Sequence, residues 1–158
     1  MKRGTTTFLK LAVFIIGTII LALCIFWLPG VAGEAAEMNP EYAYLRFPIL
    51  VGLYSTAIPF FLALYQTIKL LGYIERKTAF SELAVRSLKQ IKYCSNSIIL
   101  LYVIGVIFLL TQNALHPGIA IAVFVIIFAA FVISLFTAVL QELLRNALEI
   151  KSENELTV

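Results

Sequence analysis

Four long stretches almost free of charge, separated by short polar segments, limit this chain more than any other feature. A helix needs about 20 consecutive, mostly apolar residues to cross the hydrocarbon of a bilayer. Residues 11–28, 47–71, 95–114 and 119–140 meet that requirement. Inside hydrocarbon no water is available to the backbone, so each such stretch must satisfy its own amides, which a helix does and a lone strand does not. Composition agrees. Of 158 residues, 61% are apolar and 13% charged, against about 45–50% and about 25% in soluble domains. A small chain exposes most of its surface, and water would not accept this one. The expected fold class is all-α: a single membrane domain over residues 1–158, an integral four-helix bundle.

The N-terminus carries Lys2, Arg3 and Lys10 before the first apolar run and so resembles a secretory signal. The run of 18 residues, 11–28, exceeds the roughly 7–15 of a signal core. Leu23 is also too bulky to precede Cys24 in a lipoprotein cleavage box. The segment reads as an uncleaved membrane anchor, with Pro29-Gly30 expected to end it.

Basic residues set the orientation of a multi-pass protein. Of the 12 Lys and Arg residues, only Arg46 falls in the first or third connecting segment. The others lie in the N-terminal segment, in the middle loop with its flanks (Lys69, Arg76, Lys77, Arg86, Lys89, Lys92), and in the C-terminal segment (Arg145, Lys151). Both termini and the middle loop are therefore expected in the cytoplasm. The outer connections are then short. Residues 30–45 carry Glu34, Glu37 and Glu41 beside Tyr42 and Tyr44, which suit an interfacial aromatic belt. Residues 111–118 form a turn closed by His116-Pro117-Gly118.

The middle loop and the C-terminal segment keep a helical period beyond the spans. Ser81 is a candidate N-cap for residues 82–94, in which Ala84, Leu88 and Ile91 share one face. Residues 141–150 continue the fourth span, with Leu140, Leu143, Leu144, Ala147 and Leu148 as a broad apolar stripe and Gln141 on the polar side. Arg145 and Glu149 have the spacing of an i,i+4 ion pair. The two apolar stripes are expected to pack together as a pedestal beneath the bundle. Arg86, Lys89, Arg145 and Glu149 would then face outward as candidate partner-docking residues.

Chemistry-bearing constellations are missing from the sequence. Proton-coupled transporters carry costly ionisable groups within the membrane, and no Asp, Glu, Lys, Arg or His lies in the centre of any run. His116 is the sole histidine and reads as a turn residue. Cys24 and Cys94 fall in different runs at different depths, too far apart for a disulfide. No catalytic, metal or cofactor site is expected, and the charge of +3 is too small and dispersed for direct nucleic-acid binding. Pro59 removes an amide from the middle of the second run and reads as a helix kink, with Ser55 and Thr56 near enough to serve the local backbone. Ser95, Asn96 and Ser97 suit hydrogen bonds between helices.

An ordered set of strings carries a family resemblance: Met1-Lys2-Arg3-Gly4, Phe8-Leu9-Lys10, Asn39-Pro40-Glu41-Tyr42-Ala43-Tyr44-Leu45, Ile58-Pro59-Phe60, Ala63-Leu64-Tyr65-Gln66, Ala79-Phe80-Ser81, Ile91-Lys92-Tyr93-Cys94 and the tail from Lys151 to Val158. Together they resemble DUF2975, a family of small bacterial four-span membrane proteins of unknown function. The resemblance implies a neighbouring small helix-turn-helix regulator as a cytoplasmic, DNA-binding partner. It supplies no catalytic or ligand-binding residues. The leading expectation is thus a regulatory or sensory multi-pass protein of the cytoplasmic membrane, surrounded by lipid and binding a small soluble regulator. Two alternatives belong to other classes. One is an immunity or envelope-protection protein against a membrane-active peptide. The other is a small transporter or channel subunit.

Overall fold

The computed structural model describes residues 3–156, and the regular structure among them is helical. Helices α1 (Arg3–Ala22) and α2 (Leu28–Met38) are joined by a π-helical turn, Leu23–Trp27, into one rod of 36 residues. A 3-10 turn, Pro40–Leu45, leads into α3 (Arg46–Glu75), followed by α4 (Glu82–Thr111) and α5 (Pro117–Leu156). Each of the four rods is long and apolar enough to cross a membrane. Three of the four expected spans fall within them, and the third, 95–114, runs three residues past the end of α4 at Thr111. At 40 residues, α5 runs ~60 Å, about twice the ~30 Å of hydrocarbon, so it projects well beyond the bilayer.

The rods pack in chain order as an antiparallel row: α1 against α3, α3 against α4, and α4 against α5. Among the described residues no comparable interface closes the row between α1 and α5. Helix α4, flanked on both sides, accordingly holds half of the buried residues, more than any other helix, among them Ala84, Val85, Leu88, Ile91 and Cys94. The row places the start of α1, the end of α5 and the α3–α4 turn, with nearly all the basic residues among those described, at one end. The glutamates of α2 lie toward the other.

The first correction concerns Pro29, which does not end the first helix. The π turn lets the Leu28 amide bond the Leu23 carbonyl five residues back. In that wider register the amide of residue 29 would serve Cys24, and proline has none to give. The hydroxyl of Tyr54 on α3 donates to the Cys24 carbonyl instead, at 2.7 Å. The orphaned acceptor is satisfied from the neighbouring helix, and the rod continues to Met38.

Both hairpin turns close with left-handed residues. After α3 the Thr78 amide bonds the Tyr73 carbonyl at 2.8 Å and Lys77 bonds Ile74 at 3.1 Å, with Lys77 at φ 60°. After α4 the same arrangement joins Ala114 to Leu109 at 2.9 Å and Asn113 to Leu110 at 3.1 Å, with Asn113 at φ 54°. These are Schellman caps. Asparagine tolerates that conformation better than lysine does. His116 is the turn residue expected, and it also caps α5, its Nδ1 accepting from the Gly118 amide at 3.0 Å.

The end away from the basic cluster is tied across the row. Tyr42 donates to the Asn113 carbonyl at 3.0 Å and Tyr44 to Gln112 Oε1 at 2.8 Å, beside the fully buried Leu45. At the basic end Lys10 on α1 pairs with Glu75 on α3 at 2.7 Å. Between these ties α1 lies close on α3, with Leu64 Cδ1 3.4 Å from where a Cβ on Gly17 would stand.

Candidate functional site

The tightest packing lies along α4 and α5 toward the basic end. Ser81 caps α4 as expected, its side chain accepting from the Ala84 amide at 3.3 Å. Ala84, Leu88 and Ile91 are buried, so one half of the expected pedestal forms. The α5 half differs from expectation. Its buried line is Ala130, Ser134, Thr137 and Gln141, a 4-3-4 helical spacing extended by half-buried Leu144, Ala147 and Leu148. Leu140 is 38% and Leu143 60% exposed, whereas Gln141 is only 6% exposed. Gln141 therefore lies in the seam and Leu140 outside it. The reason is the solvent. In hydrocarbon, leucine gains nothing by leaving lipid for protein, while small and polar residues let helices approach and bond.

That bonding is visible within the seam. Ser134 Oγ donates to Asn96 Oδ1 at 2.6 Å, joining α5 to α4 where the sequence suggested an interhelical contact. Thr137 is internally satisfied by the Ile133 and Ser134 carbonyls. Ser97 turns back to its own helix, on the Tyr93 carbonyl. Cys24 and Cys94 are free thiols on separate rods.

The four candidate docking residues, Arg86, Lys89, Arg145 and Glu149, are all exposed. The expected Arg145–Glu149 ion pair does not form, whereas Lys10 and Glu75 do pair. Exposed pairs are worth ~0–1 kcal/mol, too little to hold two long side chains on a wet helix face. Lys89 and Lys92 sit over the Tyr93 ring at 5.7 and 5.6 Å, and Lys69 over Tyr65 at 5.5 Å. Beside this surface the α3–α4 turn and the last turns of α5 enclose an open groove of about 580 Å³. It is lined by Lys77, Phe80, Ala147, Ile150, Lys151, Asn154 and Glu155. Sequence reasoning did not single out this groove. The one available signal was the apolar pair Phe80 and Ile150 in otherwise polar segments.

Pro59 lies within an uninterrupted α3. The nearby hydroxyls do not replace its missing amide: Ser55 donates to Val51 at 2.8 Å and Thr56 to Leu53 at 2.7 Å. The Thr56 and Tyr102 hydroxyls lie 3.4 Å apart, a polar link between α3 and α4. Pro59→Ala returns an amide to the helix. It is expected to insert normally and to leave the thermal midpoint within ~3 °C or raise it, since a change of ~1 kcal/mol moves a domain of this size by only ~2–4 °C. A collapse in folded yield would instead make Pro59 a determinant of the helix shape.

No group of three or more His, Cys, Asp or Glu side chains suited to a metal occurs among the described residues. No solved structure matches the chain. Over its full length, and over the full length of the relative, it is 52% identical to a protein of Bacillus subtilis (strain 168) described as "Uncharacterized membrane protein YoaS". A family model described as "Protein of unknown function (DUF2975)" matches residues 30–158. That match includes the middle loop, the α4–α5 seam and the groove, and the chain is a multi-pass membrane protein of the DUF2975 family.

Proposed function

We propose that this protein is a regulatory membrane tether, its basic end a cytoplasmic docking platform for a small soluble regulator. The observation that carries the reading is where the core lies. The bilayer portions of the rods are largely exposed to lipid, with at most 11% of any spanning window buried. The residues buried to 7% or less on α4, from Ala84 through Ser95, cluster toward its basic end. A protein serving only as a membrane filler has no use for an ordered platform beyond the bilayer. The preponderance of basic residues at this end also gives it a cytoplasmic orientation. A helix-turn-helix protein as the regulator is the expectation implied by the family resemblance, and the basic rim of Arg86 and Lys89 supplies its complement.

The test uses the full chain in native membranes. Affinity capture is expected to retain a soluble DNA-binding regulator, and Arg86→Glu with Lys89→Glu is expected to reduce its recovery at least about tenfold, charge reversal at a rim contact costing on the order of 1.4 kcal/mol or more. Insertion should remain normal, checked by outside labelling of a cysteine placed at Glu37 and inside labelling of one at Lys77. Normal insertion with no regulator captured, or recovery indifferent to the rim, would remove the tether reading.

A further inference from the structure

The groove at the basic end holds two features that the tether reading alone does not use. Phe80 and Ile150, both large and apolar, are 62% and 59% exposed. Their place relative to the bilayer matters. Counted from Ile119, ~30 Å of hydrocarbon takes about 20 residues of α5 and ends near Val139. Ile150 then lies ~16 Å further, past a headgroup layer only ~5–8 Å deep. Lipid covers the exposed leucines of the spans but does not reach this pair. The second feature is Lys77. Its left-handed backbone, φ 60°, is fixed by the Schellman bonds to Tyr73 and Ile74 and holds the lysine at the groove's edge. Glycine would adopt that conformation without the ~1–2 kcal/mol steric penalty.

Resting on the tether reading, we propose that this groove is the seat for an acidic amphipathic helix of the soluble partner. One bulky apolar side chain enters between Phe80 and Ile150, and flanking carboxylates meet Lys77 and Lys151. The size fits: about 580 Å³ takes an anchor side chain with its neighbours and not a folded domain. The charge fits as well, since two lysines and the single carboxylate of Glu155 line the groove. A helix laid by its apolar face into such a groove is a recurring mode of recognition. Basic, uncharged and purely lipidic occupants each leave one of the two features without a counterpart.

The experiment uses the full chain in nanodiscs of zwitterionic lipid. The probe is a fluorescein-labelled 18-residue helical peptide with Leu and Phe on one face and Glu on the other. Its counterpart with Lys for every Glu is the control, and empty nanodiscs report binding to lipid. Saturable anisotropy is expected with the acidic peptide alone. Lys77→Glu with Lys151→Glu, and separately Phe80→Ser, are each expected to weaken it at least about tenfold. Equal binding of the basic peptide, binding indifferent to these variants, or no saturable binding overturns the seat. The native regulator separates this proposal from the tether reading. Capture that survives the Lys77 and Lys151 reversals but fails with those at Arg86 and Lys89 sinks the groove and leaves the tether standing. Capture indifferent to the reversals at Arg86 and Lys89 sinks the tether itself.

Discussion

Ser134→Phe is expected to destabilise the protein by ~2–4 kcal/mol, the overpacking of a close helix contact adding to a lost interhelical hydrogen bond of ~0.6 kcal/mol. Ser134 is 9% exposed and donates to Asn96 across the α4–α5 seam at 2.6 Å. A ring at this position has to push α5 off α4 and strands the Asn96 amide in a low-dielectric setting. The control is the adjacent residue. Leu135 is 52% exposed on the lipid-facing side, and Leu135→Phe puts the same ring into hydrocarbon, with an expected change within ~0.5 kcal/mol. Thermal or denaturant unfolding in detergent micelles measures both. Equal effects from the two variants would show that α4 and α5 do not meet along the small-residue line.

That pair of substitutions also marks where the sequence was readable and where it was not. The number of helices and the placement of the spans follow from length and hydropathy, because the bilayer forces any such run to be helical. The Ser81 cap was legible since its mechanism is local. The face of α5 that meets α4 was not. An amphipathic stripe points to the core in water, and applying that rule past residue 139 selected Leu140 and set Gln141 outside. The membrane reverses the preference within the spans, and the helix carries its reversed face on into the extension, where Gln141 is buried and Leu143 exposed. The seam was nonetheless present in the sequence, as small or polar residues at Ala130, Ser134, Thr137 and Gln141.

The candidate site divides along the same line. Arg86, Lys89, Arg145 and Glu149 are exposed as their helical positions require, because exposure of a charge on a helix surface depends mostly on phase. The groove depends on the α3–α4 turn meeting the end of α5, a contact between residues about 70 positions apart. Its key backbone feature, a left-handed Lys77, has no residue signature, since glycine or asparagine is the expected occupant. The extension of the first helix past Pro29 was illegible for a related reason. It depends on a tyrosine 25 positions later along the chain.

The dependence of the first helix on Tyr54 yields the last large expected effect. Tyr54→Phe removes the donor to the Cys24 carbonyl and leaves an acceptor unpaired in hydrocarbon, with an expected cost of ~1–3 kcal/mol. Packing of the ring is untouched, so the loss isolates the hydroxyl. Pro29→Ala supplies the amide that the proline lacks, and an alanine-bearing rod can bond its own carbonyls in the π or the α register. On that background Tyr54→Phe is expected to cost at least ~1 kcal/mol less, a coupling well above the ~0.3–0.5 kcal/mol scatter of independent sites. Unfolding in micelles gives the four corners of the cycle, and hydrogen exchange at the Leu28 amide reports directly on the turn. Exchange there should quicken in Tyr54→Phe and slow again in the double variant. If Tyr54→Phe costs the same on both backgrounds, the hydroxyl is not replacing the Pro29 amide. The π turn would then need another cause, with the packing of Gly17 against Leu64 the next contact to vary.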